Sequence, residues 1–185
     1  MVETKLNTEK ITLDAIQLLG KMNDSRLGLE DCQDLILKGL STLFSNEYAI
    51  LLLTDSEGGT MAVKKSVANG KNSVDNDNVN LTSGILHKCY QDLKMIDEVI
   101  EAGSLLEPAI DSVPGVETRT LTCAPLIYQS MLFGILAIGN SPYTPLDKFS
   151  KSIFKMLLDS LASRTYSTRL IEQLEGSNAD LTFTE

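Results

Sequence analysis

The stretch TCAPLIYQSMLFGILAIGNSP, Thr122 to Pro142, constrains this chain more than any other. It consists of two apolar runs, APLIY and MLFGILAIG, separated only by Gln129 and Ser130. A short polar break between β-rich runs predicts a hairpin. Pro125 lacks a backbone donor and so belongs at a strand edge or a bulge, while Gly134 marks a place where a neighbouring strand or helix approaches closely. A sheet built on this hairpin is the expected centre of the fold.

The chain has 185 residues, enough for one domain with a sizeable core and no staples. Its longest apolar run, near Met131 to Gly139, is far short of the roughly 20 residues a membrane-spanning helix needs. The opening MVETKLNTEK has no apolar centre and does not read as a secretory signal. A soluble, cytoplasmic protein is expected. The net charge of −9 argues against nucleic acid, whose binding relies on clustered Lys and Arg. The three cysteines, Cys32, Cys89 and Cys123, fit neither a disulfide framework nor a CxxC motif, so buried free thiols are expected.

Periodicity supplies the other elements. Ile11, Ala15, Leu18, Leu19 and Met22 fall on one face of a helix over residues 8–23. Cys32, Leu35, Ile36, Leu40, Leu43 and Phe44 do the same over 29–45. YAILLLTD, the turn SEGGT and TMAVKKSV predict a second hairpin with strands at 48–54 and 60–67. Residues 69–80, NGKNSVDNDNVN, read as a flexible loop, because Asn, Asp and Gly dominate and no apolar period runs through them. Thr82 or Ser83 is the expected N-cap of a short helix carrying Ile85, Leu86, Cys89, Tyr90 and Leu93. KMIDEVIEAG, residues 94–103, reads as a short strand followed by irregular chain, although Met95, Ile96, Val99 and Ile100 also fit a continued helix, and one short helix is expected within the Pro- and Gly-bearing segment 103–118. After the 120–139 hairpin, a long helix over 146–174 begins with a dense apolar face. That face thins at Thr165 and Thr168, then resumes at Leu170, Ile171 and Leu174.

This order of helix, hairpin, short helix, variable loops, strong hairpin and long helix resembles the GAF domain, a sensory module akin to PAS domains. The match spans residues 29 to about 165. Its most specific parts are NLTSGILHKCY and RTLTCAPLIYQSMLFGILAIGN, with Arg119, Pro125, Leu126, Gly134, Ile135, Leu136 and Asn140 as landmarks. The resemblance implies an α+β fold: a central antiparallel sheet of five to six strands, with the N- and C-terminal helices packed together on one face. It divides the chain into an amphipathic helix (1–24), the sensor domain (25–165) and a helical extension with a tail (166–185).

Enzymatic chemistry finds little footing. His87 and Cys89 lie two positions apart on a helix, about 200° around its axis, so they form no local dyad. Relatives that reduce free methionine sulfoxide use a cysteine just before the strong hairpin, and residues 111–119 contain none. Bilin-binding relatives use a cysteine followed by His, whereas here the order is His87-Lys88-Cys89. Cyclic-nucleotide-binding relatives carry an acidic pair where this chain has Phe154 and Lys155. His87 is the sole imidazole available to a haem. No His, Cys, Asp or Glu cluster has metal-ligand spacing, and no cofactor is identified.

The expected function is therefore that of a non-enzymatic sensory domain, resembling the input modules of histidine kinases and cyclic-di-GMP enzymes and acting on a downstream effector. The alternatives are a thiol-dependent reductase on the same fold and a ligand-free dimerisation module. A small-molecule ligand is expected to touch Ser83, Gly84 and His87 at a helix start, the segment Ile96 to Val99 including Glu98, and the hydroxyls of Thr120 and Thr122. A parallel homodimer is expected through residues 8–23 and 150–175, since a helical extension needs a partner for its apolar face; the alternative is that the N-terminal helix covers the C-terminal helix within one monomer.

Overall fold

The computed structural model describes residues 8–54, 61–69 and 71–182. In chain order the elements are α1 (Thr8–Met22), α2 (Leu29–Phe44), β1 (Tyr48–Thr54), β2 (Met61–Ala68), β3 (Lys71–Asn80), α3 (Ile85–Asp92), β4 (Ile96–Val99), α4 (Pro108–Asp111), β5 (Thr120–Tyr128), β6 (Met131–Gly139) and α5 (Lys148–Thr182). The six strands form one sheet in the order β3-β2-β1-β6-β5-β4, with every neighbouring pair antiparallel. The expected α+β architecture is thus present. Asp55 and the SEGGT turn, Thr60 included, lie outside the described residues.

The strong hairpin sits where its hydrophobicity requires. β6 is central between β1 and β5, and Tyr128 pairs with Met131 across Gln129 and Ser130. Both turn residues have positive φ, 53° and 60°, the twist of a two-residue type I′ turn. Gly134 pairs with Leu53 of β1, and a Cβ there would run into the Leu52 carbonyl. Gly139 makes room for the Tyr48 ring in the same way. Pro125 lies just beyond the last pairing with β4, Ile96 with Cys123, and beside a register shift at Leu126/Ile127.

Because side chains alternate along a strand, the sheet has two apolar faces, and each is covered. On one face α1, α2 and α5 bury Ile11, Ile36, Leu40, Phe44, Phe154, Leu157 and Leu161 against Leu51, Leu126 and Leu136. The N- and C-terminal helices therefore share a face, as expected. On the other, α3 and α4 bury Ile85, Leu86, Cys89 and Ile110 against Tyr48, Ile50, Leu121, Cys123 and Ile135. α1 docks within its own chain, and Arg164 of α5 fastens the linker after it by donating to the carbonyls of Met22 (3.1 Å), Asp24 (3.3 Å) and Leu27.

Two local expectations are corrected. Residues 71–80 are not a loop but β3, paired with β2 through Met61↔Asn80, Ala62↔Val79 and Ala68↔Lys71. The open edge of β2 supplies hydrogen-bond partners that low β-propensity cannot veto, and a polar sequence suits an edge that must not recruit other strands. Neither Thr82 nor Ser83 caps α3. The N-cap is Gly84, without a side-chain bond, and the cap comes from elsewhere in the chain.

Candidate functional site

The cap is Asp111. Its fully buried carboxylate accepts the backbone N–H groups of Ile85 (2.7 Å), Leu86 (3.0 Å) and Glu107 (2.9 Å). Unsatisfied N–H groups and the helix dipole at the start of α3 favour a negative charge there, and α4 delivers one. Burial is the larger influence on the group and pushes its pKa above the ordinary carboxylate value, against the three N–H bonds that pull it down. At Gly84 a Cβ would strike this carboxylate and the Glu107 side chain.

Two further buried groups fasten the same segment. The Tyr48 hydroxyl donates to the Asp111 carbonyl (2.9 Å) and lies 2.8 Å from Thr118 Oγ1. Burial raises its pKa to about 12, so it stays a neutral donor. Lys64 projects from β2 and donates to the carbonyls of Ala109 (2.9 Å) and Ser112 (2.6 Å). The segment is flanked by two clefts. One, of about 630 Å³, is lined by Ser83, Gly84, His87, Lys88, Leu105 and Glu107. The other, of 790 Å³, is lined by Lys64, Ser66, Val79, Pro108, Ser112 and Val116.

Of the residues expected to meet a ligand, Ser83, Gly84 and His87 come together on the first cleft. Ile96 is half-buried against the α3 side of the sheet, paired with Cys123, and Glu98 is exposed on the edge strand opposite Leu121. Thr120 and Thr122 alternate with Leu121 and Cys123, so they point to the other face. There Thr122 donates to Asp97 (2.7 Å) and Thr120 to the Ser141 carbonyl (3.3 Å). The structure thus groups the first three residues and separates them from the two threonines by the thickness of the sheet.

Asp111, Tyr48 and Lys64 are the polar residues of this region that sequence reading missed. The one available signal was an acidic residue between the apolar Ile110 and Val113 in AIDSV. The family landmarks also acquire roles. Asn140 accepts the N–H groups of Arg119 (2.6 Å) and Thr120 (3.2 Å) and donates to Glu47 (2.9 Å) and to the Glu117 carbonyl (2.7 Å). Arg119 closes the ring with Glu47 at 2.6 Å, and these bonds, that from Asn140 foremost, lower the Glu47 pKa. The cluster braces the ends of β5 and β6.

All three cysteines are buried and free. The Cys123 thiol is held protonated, first by a hydrogen bond with the Cys89 thiol and then by burial, and burial likewise raises Cys32. Among the described residues no group of three His, Cys, Asp or Glu side chains could hold a metal ion. Nor is any helix among them long and apolar enough to cross a membrane.

No family model and no curated protein matches the sequence. The fold has clear counterparts among solved structures. The GAF domain of a phosphoenolpyruvate-protein phosphotransferase from Coxiella burnetii is 17% identical, with a TM-score of 0.74 over 90% of this chain and 99% of that one. A methyl-accepting chemotaxis protein fragment gives 0.66 at 18% identity, over 85% and 99%. Free methionine-R-sulfoxide reductase from Neisseria meningitidis gives 0.66 at 13% identity, over 89% and 93%. The fold is that of a GAF domain.

Proposed function

We propose that the chain is a non-enzymatic, cytoplasmic sensory domain in which a small molecule on the α3 face changes how α5 is held and, through α5, a signalling effector. One observation supports this reading: β4, whose Ile96 packs on the α3 face, is tied directly to the start of α5. Asp97 of β4, with its side chain 6% exposed, accepts the Leu146 N–H (2.5 Å) and the Thr122 hydroxyl (2.7 Å), and Lys151 on the first turn of α5 approaches it to 3.9 Å. A shift of β4 therefore pulls on the start of a helix about 52 Å long. The far half of that helix leaves the domain with Leu170, Ile171 and Leu174 exposed. Leu13 and Ile16 on the outer side of α1 add to an apolar surface that a second copy covers in a parallel homodimer. The proposed effectors are histidine kinases and cyclic-di-GMP enzymes.

Native mass spectrometry of the purified chain tests the ligand and the oligomer together. A retained small molecule and a dimer mass support the reading; a bare monomer counts against it. The reductase alternative draws support from the fold shared with the sulfoxide reductase. Against it stand three buried thiols, two of them with raised pKa. Fast and selective labelling of Cys89 or Cys123 under native conditions would favour the enzyme. Slow labelling that tracks unfolding favours the sensor.

A further inference from the structure

The segment between Gly103 and Gly115 crosses the α3 face as a strap. It is bounded by two glycines with left-handed backbone, φ 94° and 81°, and a Cβ built on either one meets nothing within 4 Å. Only glycine takes such angles without strain, and open space around both lets the backbone turn there. Between these ends the strap buries Ile110 and Val113, while Leu105 near its start is 74% exposed. One cleft lies along its Leu105–Glu107 side and the other along its Pro108–Val116 side.

The polar contacts under the strap run in one direction. The floor donates, through the amides of Ile85 and Leu86, the Lys64 ammonium and the Tyr48 hydroxyl. The strap accepts, through the Asp111 carboxylate and the carbonyls of Ala109, Asp111 and Ser112. A segment hinged at both ends and fastened by a few buried hydrogen bonds is a natural unit of local opening.

We propose that residues 103–115 open and close as a unit on the two glycine hinges, with the Asp111 carboxylate as the latch. Closed, the strap satisfies the donors of the floor. Open, it joins the two clefts and presents those donors above the apolar floor of Ile50 and Ile135. The motion stands on the strap's own geometry; its role in gating the site rests on the reading that the α3 face takes a ligand.

Native-state hydrogen exchange of the full chain tests the motion. The amides of Ile85, Leu86 and Glu107 all donate to the Asp111 carboxylate and so report its release. In urea below the unfolding transition, these three should open together, with little urea dependence and more readily than the amides that pair β1 with β6. Asp111→Asn should increase that opening about tenfold or more, because both carboxylate oxygens accept N–H groups and Asn replaces one of them with an NH2 that cannot accept, with a smaller change at β1 and β6. If the three amides open only with the β1–β6 ladder and share its urea dependence, the strap is a fixed part of the core and the proposal fails. The wild-type protein alone decides that point, whatever the stability of the variant. Independent opening that Asp111→Asn leaves unchanged would overturn Asp111 as the latch. A strap that opens in a chain retaining no small molecule in native mass spectrometry would overturn the gating role and the ligand reading while leaving the motion established.

Discussion

The Asp111 carboxylate accepts the Ile85 N–H at 2.7 Å, across 26 positions of sequence. With the Leu86 and Glu107 amides it makes one buried acceptor serve three donors on two segments. Asp111→Ala leaves those donors without a partner and should destabilise the domain by about 3 kcal/mol or more. Asp111→Asn keeps an acceptor oxygen and should lose less. Urea unfolding of the two variants against wild type gives the comparison, and equal losses would contradict it.

The same carboxylate sets a pH dependence. Its folded pKa lies above the unfolded value near 3.8, so the folded state holds the proton more tightly. The stability this contributes is fully present below the unfolded pKa and is lost as pH rises through the folded one. Wild type should therefore gain stability relative to Asp111→Asn when pH is lowered from about 7 toward about 4. Paired denaturation curves at the two pH values check the sign. A relative loss on acidification would show that the N–H bonds outweigh burial.

Much of the fold could be read from the sequence because it is written in local periods. The 120–128 and 131–139 strands and the stripes of α1, α2 and the first half of α5 each carry their own apolar pattern. β3 could not be read that way, because what makes it a strand is the free edge of β2 rather than its own side chains. The helix start at Ser83, Gly84 and His87 was legible, yet its cap was not, since Asp111 reaches it only through the tertiary fold. The facing of Thr120 and Thr122 was available in principle: they alternate with Leu121 and Cys123, and strand parity sends the two pairs to opposite faces.

Gly134 should tolerate no side chain. A Cβ there meets the backbone of Leu52 and Leu53, which cannot step aside without breaking the β1–β6 ladder. Gly134→Ala should cost about 3 kcal/mol or more, or prevent folding. Circular dichroism and thermal unfolding measure it. A variant within a few tenths of a kcal/mol of wild type would contradict the close approach.

Asp97 should matter beyond its size, because it joins β4 to the start of α5. Asp97→Ala removes the acceptor for the Leu146 N–H and the Thr122 hydroxyl and should cost roughly 2 kcal/mol. Its second signature is faster amide exchange in the first turn of α5, with the far half of the helix unchanged. Uniform acceleration along α5 would mean that the residue is only a stability element and not the tie to the output helix.

The central claim, that the chain signals through paired α5 helices, is tested most directly by sedimentation equilibrium at micromolar concentration. On the proposal that a second copy covers the exposed residues Leu170, Ile171 and Leu174, the account predicts a species of twice the 20.2 kDa chain mass. Replacing the three with Gln should return the monomer, with helical signal lost only from the far end of α5. A wild-type mass that stays at 20.2 kDa up to high protein concentration would contradict the account.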